Sequence, residues 1–198
     1  MQIYLILQIG EIKIVSVYKV DNVTSMEIEI RAMVKNTEEV RKDLDLKATH
    51  KESSNEHDLY LRHEGDVNRV LVLRIRRKKS GAILTFKGKS TGDDTAWADA
   101  DLPLTDPDNL EKLLLASGYV EVVEIKKHRE SYNLDGFEVN FDEIENLGTF
   151  IEIEGRGEED ARLDVEEKMM DILVSLGIQK EDIIRKGYVP LMLEKMAL

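Results

Sequence analysis

Apolar and polar residues alternate with a period of two along much of this chain, the pattern of strands that bury one face. Residues 26–34, MEIEIRAMV, alternate strictly: Ile28 and Ile30 lie on one parity, Glu27, Glu29 and Arg31 on the other. Looser alternation over 2–20 predicts one or two strands. Further strands are predicted over 57–63, 94–102, 119–132, 136–142 and 149–155, with a turn at Asn133 to Gly136. Residues 69–79 and 81–89 read as a hairpin turning near Ser80-Gly81. Helical spacing is rarer. Asn36, with Glu39 three residues on, has the form of a capping box for a short helix. Asp106-Pro107 opens another, with Leu110, Leu113 and Leu114 as its apolar face and Gly118 as its stop. Residues 158–176 predict a long helix with Met169, Ile172, Leu173 and Leu176 on one face, and a shorter helix is expected near 180–186. Many strands and few helices make an α+β, antiparallel pattern.

Composition narrows the chemistry. The 198 residues suit one domain or two small ones, and 42% hydrophobic content supports a core. Cys is absent, which excludes disulfides, thiolate metal sites and cysteine nucleophiles, and four His make a multi-histidine zinc centre a poor fit. No apolar run reaches the roughly 18 residues that span a bilayer, and the apolar stretch Ile3 to Ile9 lacks a basic n-region. A cytoplasmic protein with no membrane partner is the expectation. The formal charge is −12, from 28 basic and 40 acidic residues, which speaks against nucleic-acid binding. The charge is uneven. Residues 62–89 carry nine basic side chains and two acids, +7, so the rest of the chain is −19. On charge alone, a basic block in an acidic protein pairs with the acidic parts as readily as with an anionic ligand.

The polar parities of the strands carry more information. Side chains at i and i+2 of a strand project to one side, roughly 6 to 7 Å apart. Glu27 with Glu29 and Glu152 with Glu154 form acidic pairs. Arg74 with Arg76, Lys87 with Lys89, and Lys127 with Arg129 form basic ones. Any single pair fits a solvated face. As a set they also fit a closed sheet with charge pointing inward, around a guest that brings both phosphate and a divalent cation.

Glu27-Ile28-Glu29-Ile30-Arg31 resembles the ExExK signature of the CYTH superfamily, the triphosphate tunnel metalloenzymes. The resemblance continues in order. Asp58-Leu59-Tyr60 is similar to the family's D-x-Y strand, Leu73 to Arg77 to its LRIRR, and Leu84 to Gly88 to its LTYKG. Lys127-His128-Arg129 is similar to its KxR, Leu147 to Glu154 to its LGxFxEIE, and Lys186-Gly187-Tyr188 to its KSY. Spacing and length look most like the class IV adenylyl cyclase branch. The resemblance covers 26–198. Residues 1–25 are then expected as an N-terminal extension: an added edge strand, or read-through from an upstream start with Met26 as the true one.

The resemblance implies an eight-stranded antiparallel β-barrel with flanking helices and a charged tunnel, and suggests a homodimer. It implies that Glu27, Glu29, Asp142, Glu152 and Glu154 hold a divalent metal, Mg²⁺ or Mn²⁺. Arg31, Arg74, Arg76, Lys87, Lys127, Arg129 and Lys186 would hold the triphosphate of a small molecule such as ATP. Two departures stand out. Arg31 replaces the signature lysine, and arginine does not give up a proton to serve as a base. Trp97, Asp99 and Asp101 stand where members commonly carry R-x-E-x-E, so one phosphate contact is lost and two acids are shorter. Three activities fit: adenylyl cyclase (ATP to cyclic AMP and pyrophosphate); a triphosphatase acting on inorganic, nucleoside or thiamine triphosphate; or a binder of triphosphate or polyphosphate without turnover. His57 and His63 fit no ligand spacing, and no P-loop is present.

Overall fold

The computed structural model describes residues 2–9, 12–19, 26–66, 71–89, 97–157 and 161–197, with the side chains of 2–19, 26–27, 71, 87–89, 97–100 and 157 outside the description. The N-terminal stretch forms two strands, β1 (Gln2–Ile9) and β2 (Ile12–Lys19), paired antiparallel in a sheet of their own. Then follow β3 (Met26–Met33), α1 (Thr37–Lys47), β4 (Thr49–His63), β5 (Leu71–Lys78), β6 (Gly81–Lys89), β7 (Trp97–Leu104) and α2 (Pro107–Ala116). The chain continues through β8 (Tyr119–Leu134), β9 (Phe137–Ile144), β10 (Gly148–Gly157), α3 (Arg162–Ser175), a 3₁₀ turn (Lys180–Asp182), β11 (Ile183–Ile184) and α4 (Tyr188–Met196).

The nine strands β3 to β11 form one antiparallel sheet in the order β11-β3-β10-β9-β8-β4-β5-β6-β7. The α+β class and the flanking helices agree with the sequence. The eight-stranded barrel needs correction: β11 is a ninth strand, and among the described residues no ladder joins β7 to β3 or β11, so the sheet is open. Pro103 in β7 has no backbone N–H to give a further neighbour, which suits an edge. The expected helix near 180–186 is likewise corrected. Ile183 and Ile184 pair with Ala32 and Arg31 instead, so sheet pairing overrides a weak local preference.

Local chemistry explains most boundaries. The Asn36 side chain accepts from Glu39 N and donates to Glu39 Oε2 (2.6 Å), closing the start of α1. Asp106 accepts from Asn109 N (3.1 Å) at the start of α2. Between β8 and β9 the two loop residues, Asp135 and Gly136, both have positive φ (52° and 88°). That is the requirement of a type I′ hairpin turn, which Asp-Gly meets with least strain.

Parity then divides the sheet into two faces. One is apolar. Ile28, Ala32, Val139, Phe141, Ile151 and Ile153 pack beneath α1 and α3, against Val40, Leu44, Met169, Ile172 and Leu173. Leu59, Leu61, Leu73, Ile75 and Leu84 pack beneath α2, against Leu110 and Leu114. Burying these side chains stabilises the fold by about 1.5–3 kcal/mol each. Gly155 lies under α3, and a Cβ there would come within 2.7 Å of Met169 and 2.8 Å of Phe137. The other face carries the charges. α4 lies on that face, through Tyr188 and Met192 on Tyr60, Ile125, Ile144 and Phe150.

Candidate functional site

Residues directly opposite in an antiparallel ladder share a face, so the register assembles the site. Arg31 faces Glu152, and Phe150 faces Asp142. Asp142 faces Arg129, and Glu56 faces Lys127. Asp58 faces Arg76, Tyr60 faces Arg74, Arg74 faces Thr85, and Thr85 faces Asp101. A ribbon of alternating charge therefore runs across eight neighbouring strands, from β3 to β7, on the face opposite the core.

Its centre is buried and densely ion-paired. Arg129 donates to Asp142 through Nε (2.6 Å) and Nη2 (2.6 Å), and to Glu152 Oε1 (2.9 Å). Arg31 donates to Glu152 Oε2 through Nε (2.6 Å) and also through Nη2. Arg76 grips Asp58 with both Nε (2.7 Å) and Nη2 (2.6 Å), and its Nε lies 3.1 Å from Glu56. Lys127 Nζ lies between Glu56 (3.4 Å) and Asp142 (3.5 Å). The Tyr188 hydroxyl donates to Asp142 Oδ2 (2.9 Å), and its ring underlies the Arg31 guanidinium at 4.5 Å.

Burial and proximity set the charges here. Burial alone would push Glu56 up, but Lys127, Arg76 and Arg129 outweigh it and bring the carboxyl down to about 2. Glu152 is also buried, and Arg31 and Arg129 hold it well below the usual carboxylate range. Asp58 is lowered against its burial by Arg76. Lys127 is lowered as well, which in a lysine disfavours the charged form: burial and the adjacent Arg129 depress it.

One rim is different. Glu29 on β3 and Glu138 on β9 each stand directly opposite Glu154 on β10. Three carboxylates thus occupy one row of three adjacent strands. Asn140 Nδ2 donates to Glu154 (3.1 Å) and Glu138 (3.3 Å), and Arg31 Nη2 lies 3.1 Å from Glu29. Like charges directly opposite repel, and an oxygen-only donor set suits a hard divalent cation. Among the described residues, no three acidic or histidine groups are gathered closely enough to ligate an ion as they stand.

The sequence-derived set is mostly brought together. Arg31, Arg74, Arg76, Lys127 and Arg129 share the face with Glu29, Asp142, Glu152 and Glu154. Asp142 and Glu152, expected on the metal side, have their oxygens occupied by guanidinium groups. Lys186 is not gathered in: its Nζ pairs with Glu194 on α4 (2.5 Å), while its carbonyl accepts from Arg31 Nη1 (3.2 Å). Glu27 and Lys87 fall on site-forming strands, opposite Arg156 and Asp99, with side chains outside the description, as are those of Trp97 and Asp99. Sequence reasoning missed Glu56, Glu138 and Asn140. Their signal was parity: Glu56 is two before Asp58, and Glu138 and Asn140 lead to Asp142 in steps of two. His57 lies 3.3 Å from Glu124, and His63 stacks edge-on to Tyr119.

A model of the CYTH domain matches residues 25–188. The chain belongs to the CYTH domain family. A protein of Methanocaldococcus jannaschii named "Putative adenylate cyclase MJ0240" is 34% identical over 121 residues, which is 60% of this chain and 69% of that protein. The solved structure of PH1819 from Pyrococcus horikoshii is 28% identical, with a TM-score of 0.73 over 85% of this chain and 99% of its own. The Hippeastrum protein HpAC1, named a putative adenylyl cyclase and described as having a dominant triphosphatase activity, superposes with a TM-score of 0.63. It is 18% identical, over 87% of this chain and 96% of its own, and so shares the fold. Among the described residues, no helix of this CYTH protein is long and apolar enough to cross a membrane.

Proposed function

We propose that this chain is a divalent-metal-dependent enzyme acting on a triphosphate, and that its reaction is that of an adenylyl cyclase, ATP to cyclic AMP and pyrophosphate. The observation that carries this reading is the gathering of four arginines and Lys127 on one sheet face beside the opposed carboxylates Glu29, Glu154 and Glu138. Phosphate oxygens are the ligands that a set of planar, bidentate guanidinium donors recognises best. The name of the M. jannaschii relative supports the cyclase assignment.

In this reading Arg31, Arg74, Arg76, Lys127 and Arg129 take the triphosphate oxygens, with Lys87 and Lys186 as further cations. Arginines now held by Asp58, Asp142 and Glu152 exchange part of that pairing for phosphate. The ribose 3′-hydroxyl attacks the α-phosphorus and gives its proton to solvent, the bond to the bridging oxygen breaks, and pyrophosphate leaves with the charge that the arginines neutralise. Arg31 stays protonated throughout and acts as a clamp, not a base. Glu29 and Glu154 would hold Mg²⁺ or Mn²⁺, with Glu27, Asp142 and Glu152 alongside. The metal supplies charge neutralisation on the phosphates as they react. The cytoplasm, where ATP and Mg²⁺ are abundant, suits this chemistry.

Hydrolysis is the second reading, because the clamp addresses phosphate oxygens that ATP, thiamine triphosphate and inorganic triphosphate share. The test is to incubate the protein with ATP and, separately, with inorganic triphosphate, each with Mg²⁺ and with Mn²⁺. Cyclic AMP with equimolar pyrophosphate is the expected product from ATP. Orthophosphate without cyclic AMP would make the protein a triphosphatase. Tight binding with no product would make it a non-catalytic binder.

A further inference from the structure

Among the described residues, the arginines Arg31, Arg74, Arg76 and Arg129 lie within the charged ribbon, and Arg74 is held differently from the other three. Arg31, Arg76 and Arg129 each bond directly to buried carboxylates. Arg74 Nη2 instead donates to the Thr85 hydroxyl (2.9 Å), and Thr85 donates in turn to Asp101 Oδ1 (2.6 Å). The direction of this relay is fixed by chemistry. A guanidinium only donates and an ionised carboxylate only accepts, so the single hydroxyl proton of Thr85 points to Asp101 and a lone pair points to Arg74. Thr85 is wholly buried, so water does not substitute for either bond. The Arg74 Nε is also buried and has no hydrogen-bond partner. A buried orphan donor is costly, and one on a charged face calls for an acceptor that arrives later.

We propose that Thr85 is a positioning residue. With Asp101 behind it, it fixes the Arg74 guanidinium in place through a neutral hydroxyl, leaving its charge and its Nε–H available for a phosphate oxygen. The proposal rests on the reading of this face as a triphosphate site. The three carboxylate-bound arginines must give up an ion pair to take phosphate. Arg74 gives up none, so it is the guanidinium best placed to make the first contact. The register supports this: Arg74, Thr85 and Asp101 sit directly opposite one another on three neighbouring strands, β5, β6 and β7.

The test is the affinity for inorganic triphosphate with Mg²⁺ present, by calorimetry, for wild type, Thr85→Val, Thr85→Ser, Arg74→Ala and the Arg74→Ala/Thr85→Val pair. Valine keeps the volume and removes the hydroxyl; serine keeps the hydroxyl. Thr85→Val is expected to weaken binding about tenfold, the scale of one lost orienting hydrogen bond to a charged group. Thr85→Ser should restore wild-type affinity, and Thr85→Val should cost nothing further once Arg74 is absent. A purely structural role would give equal losses in both backgrounds, and that result overturns the proposal. Wild-type affinity in Thr85→Val with weakened binding in Arg74→Ala overturns the relay and leaves the site reading standing. Unchanged affinity in Arg74→Ala overturns both. Should Thr85→Val not fold, Asp101→Ala, at an exposed position, carries the same comparison with and without Arg74.

Discussion

Arg129→Met is expected to destabilise the fold by about 3–5 kcal/mol, the cost of removing one partner from a buried ion-pair network. Arg129 bonds to both oxygens of Asp142 and to Glu152, and both acids are nearly free of solvent. Methionine fills much of the volume but leaves two buried carboxylates under-compensated. Lys127 and Tyr188 still reach Asp142, and Arg31 still reaches Glu152, which keeps the loss finite. Urea unfolding measures it. Adding Asp142→Asn to Arg129→Met should recover part of the loss, because the orphaned charge is then gone. A loss below about 1 kcal/mol would mean that the network is solvated and that the buried face has been misread.

Glu154→Gln is expected to lower metal-dependent turnover by about 100-fold or more while the protein stays folded. A metal ion contributes several kcal/mol to a phosphoryl reaction, and each 1.36 kcal/mol is tenfold in rate. The fold should tolerate the change. Glutamine keeps an oxygen to accept from Asn140, and it removes a charge that faces Glu29 and Glu138 on either side. Without metal, therefore, the variant should stay within about 1 kcal/mol of wild type, because relief of that repulsion is set against loss of the 3.7 Å pairing of Glu154 with Arg129 Nη1. With Mg²⁺ or Mn²⁺ the wild type should gain thermal stability and the variant should not. Retained turnover at saturating metal would remove Glu154 from the metal side.

Much of this site was legible because strand alternation displays it. Glu29, Arg31, Glu152 and Glu154 occur on the polar parity of stretches whose other parity is plainly apolar, so both their face and their charge are read directly. Arg74, Arg76, Lys127 and Arg129 follow the same rule. Glu56 was hidden because the predicted strand began at 57, and the true β4 begins eight residues earlier. Asn140 and Glu138 were hidden because nothing in one strand reveals which residues of another will stand opposite. The last element was illegible for a different reason. Pro190 argues against a helix, yet it occupies the first turn of α4, where its missing N–H costs nothing. That helix lays Tyr188 and Met192 on the charged face, a placement decided by packing and not by local pattern. Strand closure was equally beyond the sequence, since an open edge at β7 differs from a closed ladder only in pairings between distant segments.

The most direct test of the central claim is a calorimetric titration of inorganic triphosphate into the unmodified protein, with and without Mg²⁺, beside an orthophosphate control. Triphosphate is expected to bind saturably at one site, more tightly with the metal, more weakly with added salt, and far more tightly than orthophosphate. Equal affinity for the two anions, or no binding of triphosphate with the metal present, would contradict it: the ribbon of charge would then be an internally neutralised structural network and not a phosphate site.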